Sequence, residues 1–306
     1  MKLQRLLSLT RQAVDDYRLI QSGDKIAIGI SGGKDSLTLL YALQGLRRFY
    51  PEPFELCAIT VDLGFQALSP LAAVAVSVQN GRRVLPALWH CFQALSPEVS
   101  NRLSPTLSSD AAAFDLKPVQ ELCDELNVPY TVVPTEIGKI LFETRQESNP
   151  CALCAKMRKG ALNEAALKLG CNKIAYAHHR DDLIETMLLS LIYEGRFYSF
   201  SPKTHLDKTG LTLIRPLMYV QEADVIGFKN KYHLPVCKNP CPVDGKTKRE
   251  YVKQLTRKLN HDSPGVKDRF FHAIIDGNNP GWPERTDRHL KNLIHSDLSS
   301  SPKEEL

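Results

Sequence analysis

This 306-residue chain contains no run approaching the ~20 consecutive apolar residues that a membrane helix requires. Its longest weakly charged stretch, around Leu71 to Val78, is far too short, so no membrane partner is expected. The first dozen residues mix Lys2, Arg5 and Arg11 with leucines, and neither a continuous apolar segment nor a small-residue cleavage site follows them. A cytoplasmic protein is expected. Strong charge of one sign is also missing: a formal net charge of +5 and a pI near 8.7 suit a polyanionic partner such as nucleic acid without requiring one.

What is present is enough for a large core. With 43% hydrophobic and 24% charged residues, the chain can build one big α/β domain, or one plus a small appendage. Eight cysteines stand at 57, 91, 123, 151, 154, 171, 237 and 241. In a reducing compartment such thiols stay unpaired, so clustered pairs point to metal or redox chemistry. Cys57, Cys123 and Cys171 lie in apolar patterns and read as small core residues.

The hydrophobic periodicity alternates between helix and strand. Leu3 to Ile20 is helical, Lys25 to Ile30 a short buried strand, Leu37 to Leu46 a helix and Leu56 to Val61 a second strand. The rhythm continues with helix Val119 to Leu126, strand Tyr130 to Val133, helix Ala155 to Leu169, strand Lys173 to Ala177 and helix Asp182 to Tyr193. Leu211 to Leu217 reads as a further strand, Glu222 to Tyr232 as a helix, and the chain beyond Lys246 as helical and basic. Such alternation predicts a doubly wound α/β fold around a parallel sheet. One region breaks it. From about 66 to 113 the chain is rich in Ala, Ser, Leu, Val and Pro, and the hexapeptide Phe-Gln-Ala-Leu-Ser-Pro occurs at 65–70 and again at 92–97. Without a third copy this is an insertion, not a solenoid. The expected organisation is a domain over 1–245 carrying this insertion, then a helical extension over 246–306.

Directly after the first strand stands Ser31-Gly32-Gly33-Lys34-Asp35-Ser36, opening a helix. Backbone N–H groups converge at such a helix start and bind phosphate. The two glycines permit close backbone approach, Ser31 and Ser36 can donate hydroxyl hydrogen bonds, Lys34 supplies positive charge, and Asp35 can hold Mg2+ against the phosphates. The Walker pattern is absent, since it needs four residues between its glycines and a terminal Gly-Lys-Ser/Thr. The serine-bracketed loop instead resembles the PP-loop family, which implies cleavage of ATP between its α- and β-phosphates.

Further on, Cys151-Ala-Leu-Cys154 sits at an expected helix start, where the dipole favours thiolate. Then comes Ala177-His178-His179-Arg180-Asp181-Asp182, at a strand end, with Asp182 placed to cap the following helix. Together with Pro240-Cys241-Pro242 and Thr247 to Glu250, these stretches resemble the tRNA 2-thiocytidine synthetase family over nearly the whole chain outside the insertion. The resemblance implies an ATP-dependent tRNA sulfurtransferase acting on cytidine-32 and a homodimer supplied with sulfur by a cysteine desulfurase or other donor. It also implies a 4Fe-4S cluster held by Cys151, Cys154 and Cys241, with the catalytic set completed by Lys34 and Asp35. Val61, Ala177, His178 and Asp182 join the loop as expected nucleotide-site residues. Ala177 departs from the family pattern, which has glycine before His-His.

Two other chemistries fit the same thiols. Cys154 and Cys241 could act as persulfide carrier and resolving thiol without iron, and Cys151, Cys154, Cys237 and Cys241 could make a structural four-thiolate zinc site in a nucleotide-binding protein. Cys237, after Leu-Pro-Val, reads as a strand residue. The run from Lys246 to Lys258 holds six Lys or Arg and one Glu, with Arg249, Lys253 and Arg257 on one helix face and Val252, Leu255 and Leu259 on another. A basic face of this kind suits contact with tRNA phosphates, or simple solvation.

Overall fold

The computed structural model describes residues 1–64, 115–145, 150–237, 241, 248–277, 279 and 281–286. The expected insertion, the repeated hexapeptide and Cys91 lie outside the described residues. Six strands form one sheet: β1 (Asp24–Gly29), β2 (Phe54–Asp62), β3 (Tyr130–Pro134), β4 (Lys173–Ala175), β5 (Lys203–Leu206) and β6 (Leu211–Ile214), in the order β3-β2-β1-β4-β6-β5. All neighbours pair in parallel except β5, which runs antiparallel to β6 with Lys203 opposite Ile214. The parallel sheet is as expected, and the antiparallel edge strand β5 is an addition to it. Lys203-Thr-His-Leu206 is polar because it pairs on one side only, so it lacks the apolar run that marks the inner strands.

The helices are α1 (Leu3–Tyr17), α2 (Lys34–Arg47), α3 (Lys117–Glu125), α4 (Pro150–Lys168), α5 (Arg180–Glu194), α6 (Glu222–Lys231), α7 (Lys248–Asp262) and α8 (Val266–Ile275). A single turn at Ile137–Lys139 runs into a π-helical turn at Ile140–Thr144, which the sequence pattern did not announce. Ile26, Ala27 and Ile28 of β1 are fully buried, because helices cover both faces of the sheet. On one face Leu37, Leu40 and Leu43 of α2 join Val14 of α1, Leu183 and Met187 of α5 and Phe228 of α6. On the other, Leu162, Ala165 and Ala166 of α4 lie against Cys57, Ile59, Ile174 and Leu213.

Cys57, Cys123 and Cys171 are all buried, as their apolar settings predict, and the Cys57 and Cys171 sulfurs meet at 3.3 Å. Their mutual hydrogen bond, with burial, pushes the Cys57 thiol up, which keeps it protonated and inert. Helices α7 and α8 pack onto α5, burying Val252 and Thr256 of the first and Phe271 and Ile274 of the second. Among the described residues, no helix is long and apolar enough to cross a membrane.

Candidate nucleotide and thiol site

The chain runs outward from β1 to β2 to β3 on one side and returns to the other side at β4. The crevice between β1 and β4 is therefore the topological switch point, where open α/β sheets bind their ligands. Both motif loops meet there. Residues 30–33 leave the carboxyl end of β1, and Tyr176 to His179 leave that of β4.

The first loop is internally braced. The Ser31 N–H donates to Ser36 Oγ at 3.2 Å, the Gly33 N–H donates to Ser31 Oγ at 3.4 Å, and Ser36 Oγ donates to the Gly33 carbonyl at 2.9 Å. Gly32 has φ +75°, a left-handed conformation that disfavours any side chain. Gly33 caps α2 with no side-chain bond to the helix N–H groups, which leaves the positive end of the dipole open to an anion. From outside, the Cys237 N–H donates to the Gly32 carbonyl at 3.0 Å. Cys237 is thus a loop residue, not the expected strand residue, and its main chain holds the phosphate loop.

Lys34 and Asp35 face each other at the helix start. Lys34 Nζ donates to both Asp35 carboxylate oxygens, at 2.9 and 3.0 Å, and lies 3.4 Å from Glu222 Oε1. Burial would lower the Lys34 pKa, but Asp35 and then Glu222 outweigh it and hold the ammonium above its ordinary value. From β4's side, His179 Nε2 stands 3.6 Å from Asp35 Oδ1.

His179, not Asp182, caps α5. The Asp182 N–H donates to His179 Nδ1 at 3.4 Å, and the His179 N–H donates to Asp182 Oδ2 at 2.9 Å, forming a capping box with histidine in the serine's place. The expected cap shifts by three residues because either side chain could accept, and backbone geometry chose the earlier one: His179 is extended at φ −106°, ψ 178°. His178 turns the other way. Its ring stacks on Phe200 at 4.3 Å, and its Nδ1 accepts from Arg215 Nε at 3.1 Å. Burial first, then Arg215 and Arg249, lower its pKa to about 3, so it is a neutral acceptor at physiological pH. Val61 lies near the end of β2, paired with Val133, and Ala177 follows β4 against the main core.

The two helix thiols stand between β3 and β4 in the chain, at the start of α4. Cys151 and Cys154 occupy the first turn of α4, which starts with Pro150, the residue whose missing N–H costs nothing there. Three apart on a helix, they share a face. Burial raises the Cys154 pKa, Arg158 opposes this, and the neighbouring Cys241 and Cys151 raise it further. Cys241 and Cys151 are thus near enough for their charge to act on Cys154. The Cys237 thiol donates to the Asp115 carbonyl at 3.3 Å, and burial, followed by Asp115, raises its pKa. Among the described residues, no three His, Cys, Asp or Glu side chains are arranged to hold a metal ion. By donor type and number, Cys151, Cys154 and Cys241 fit a soft iron–sulfur group with one ligand position left over.

Sequence reasoning missed Glu185, Glu222, Arg249 and Lys253 as site residues. Arg249 Nη1 lies 3.1 Å from Asp182 Oδ1 and 3.4 Å from Glu185 Oε2, and its Nη2 donates to Thr186 Oγ1 at 3.3 Å. Lys253 Nζ donates to Glu222 Oε1 at 2.5 Å. Two residues of the basic face read as facing tRNA phosphates, the half-buried Arg249 and Lys253, are therefore paired with carboxylates, whereas Lys248, Arg257 and Lys258 are exposed. The signal was the four-residue spacing, which marks a face but not what covers it.

A phosphate loop of this form at the switch point of a doubly wound sheet defines a PP-loop nucleotide-binding protein. Residues 99–259 match the PP-loop domain, the loop itself lying upstream at 31–36. A tRNA-cytidine(32) 2-sulfurtransferase from Geobacter sulfurreducens is 32% identical over 276 residues, covering 89% of this chain and 90% of its own. One from Syntrophotalea carbinolica is 33% identical over 274 residues, covering 89% and 88%. The chain belongs to the tRNA-cytidine(32) 2-sulfurtransferase family. A solved U34-tRNA thiolase from Methanococcus maripaludis with its 4Fe-4S cluster shares the fold at a TM-score of 0.59, with 19% identity, over 99% of this chain and 92% of that one.

Proposed function

We propose that this protein catalyses ATP-dependent tRNA thiolation, replacing the C2 oxygen of a cytidine with sulfur. The observation that carries the reading is the phosphate loop at the switch point between β1 and β4, its helix start left open to an anion, in a chain that also carries Cys151, Cys154 and Cys241. Family membership supports cytidine-32 as the position.

In this reading Ser31, Gly32, Gly33 and Ser36 cradle the β- and γ-phosphates of ATP, with the α2 dipole and Lys34 balancing the charge that builds on departing pyrophosphate. Asp35 is the carboxylate that would hold Mg2+, for which Lys34 must turn from it toward the phosphates. Val61, Ala177, His178 and Asp182 border the nucleotide. The cytidine O2 attacks the α-phosphorus, pyrophosphate leaves, and the oxygen becomes part of an AMP leaving group. Cys151, Cys154 and Cys241 would hold the 4Fe-4S cluster, which supplies sulfide for the second displacement when bound. A cysteine desulfurase or other sulfur donor, a homodimeric assembly and a cytoplasmic setting belong to the same proposal, as does a tRNA-binding role for the extension over 246–306.

The test is tRNA-dependent release of pyrophosphate from ATP, followed by mass spectrometry of tRNA nucleosides. Wild type should release pyrophosphate and, after anaerobic reconstitution, yield 2-thiocytidine. Asp35→Asn and Ser36→Ala should do neither while melting normally, since phosphate and metal contacts go but packing is barely touched. Normal turnover in both variants would overturn the assignment.

A further inference from the structure

The two chemical side chains of the phosphate loop each end a separate chain of contacts, and both chains begin one helical turn apart on α7. From Arg249 the path runs 3.1 Å to Asp182, through the 2.9 Å bond from the His179 N–H to that carboxylate, and from the His179 ring 3.6 Å to Asp35. From Lys253 it runs 2.5 Å to Glu222 and from the same oxygen 3.4 Å to Lys34. Neither path borrows a residue from the other. The partners are largely buried, Glu222 and His179 at 9% and 4% exposure, where a misplaced charge is felt more strongly than in water.

We propose that Arg249 and Lys253 are positioning residues for the nucleotide, Arg249 setting Asp35 and Lys253 setting Lys34. The inference rests on the PP-loop reading of the site and goes beyond it, because it gives a helix of the C-terminal part a role in aligning the loop after β1. In the absence of nucleotide, Lys34 and Asp35 neutralise each other. For both to serve a nucleotide they must separate, one toward phosphate and one toward a cation. Glu222 and His179 are the groups that receive them as they part, and α7 fixes where those groups stand. The spacing of four residues makes a single rigid helix the reference for both.

The two paths make different predictions, which separates positioning from general loosening. Binding of α,β-methylene-ATP is measured by calorimetry with and without Mg2+ on the full-length chain. Arg249→Met should lose the Mg2+-dependent gain in affinity, by roughly tenfold, while Mg2+-free binding stays within about twofold. Lys253→Met should weaken Mg2+-free binding by a similar factor, and Lys253→Arg should restore it, since an arginine can still reach Glu222. Arg257→Met and Lys258→Met, on the exposed side of the same helix, should change neither.

Should Arg249→Met fail to fold, Arg249→Lys serves instead, since one ammonium cannot span Asp182, Glu185 and Thr186 together. An intermediate loss of the Mg2+ gain supports the path, and none overturns it. Equal loss in both conditions for both variants, or an equal loss in Arg257→Met, would also overturn the proposal. If the variants behave as expected but wild type releases no pyrophosphate with tRNA, the positioning paths stand and the thiolation reading falls.

Discussion

The backbone N–H of Cys237 and the carbonyl oxygen of Gly32 lie 3.0 Å apart, joining the segment after α6 to the turn of the phosphate loop. The contact is made by main chain alone, so it predicts opposite outcomes for two substitutions at one position. Cys237→Ala keeps the donor and should leave nucleotide affinity unchanged. Cys237→Pro removes the N–H and leaves the Gly32 carbonyl without it, at a cost of about 1–3 kcal/mol, so affinity for an ATP analogue should fall at least several-fold. Equal affinities in the two variants would show that the contact does not hold the loop.

The proposal of Cys241, rather than Cys237, as the third cluster ligand gives a second outcome. After anaerobic reconstitution, Cys151→Ala, Cys154→Ala and Cys241→Ala should each lose most bound iron and all thiolation, whereas Cys237→Ala keeps both. Iron and acid-labile sulfide assays read this directly. Retained iron in Cys241→Ala, or stoichiometric zinc in the protein as isolated, would count against the cluster.

Glu185 carries a pH dependence of known sign. It is buried on α5 beside Asp182, and burial followed by that neighbour's charge raises its pKa to about 7, with Arg249, Lys253 and His179 pulling it down. An acid whose folded pKa is raised stabilises the fold fully below its unfolded value near 4.5, and the contribution is lost as pH rises through 7. At pH 8 the charged carboxylate therefore costs about 3 kcal/mol relative to acid conditions. Glu185→Gln removes this dependence. The melting-temperature difference between variant and wild type should grow in the variant's favour from pH 5 to pH 8, and a flat difference would refute it.

Gly64 closes the end of β2 at φ +68°, and a Cβ placed there would lie 2.5 Å from the Thr135 carbonyl oxygen. Both the left-handed backbone and the collision oppose any side chain. Gly64→Ala should destabilise the protein by about 2 kcal/mol or more, seen as a lowered urea midpoint with unchanged slope. A variant as stable as wild type would mean that β2 and the Thr135 turn separate freely.

What the sequence by itself determined is whatever rests on spacing within one element or one turn. The alternation of helix and strand, the phosphate loop after β1, the two thiols three apart at the start of α4, and the buried Cys57, Cys123 and Cys171 all follow from local periodicity and turn chemistry, which act over a few residues. Contacts between distant segments were settled by tertiary structure. A lysine four residues from an arginine reads the same on a solvated helix as on one docked against carboxylates, and only the packing of α7 on α5 turned Arg249 toward Asp182 and Lys253 toward Glu222. The cap of α5 fell to His179 because the strand's exit geometry made it the extended residue, a choice that composition cannot encode. The polar edge strand β5 exists because β6 offered it a free side. In each case the deciding energy comes from desolvation and hydrogen bonding between groups far apart in the chain, and that energy is defined only once the fold has brought them together.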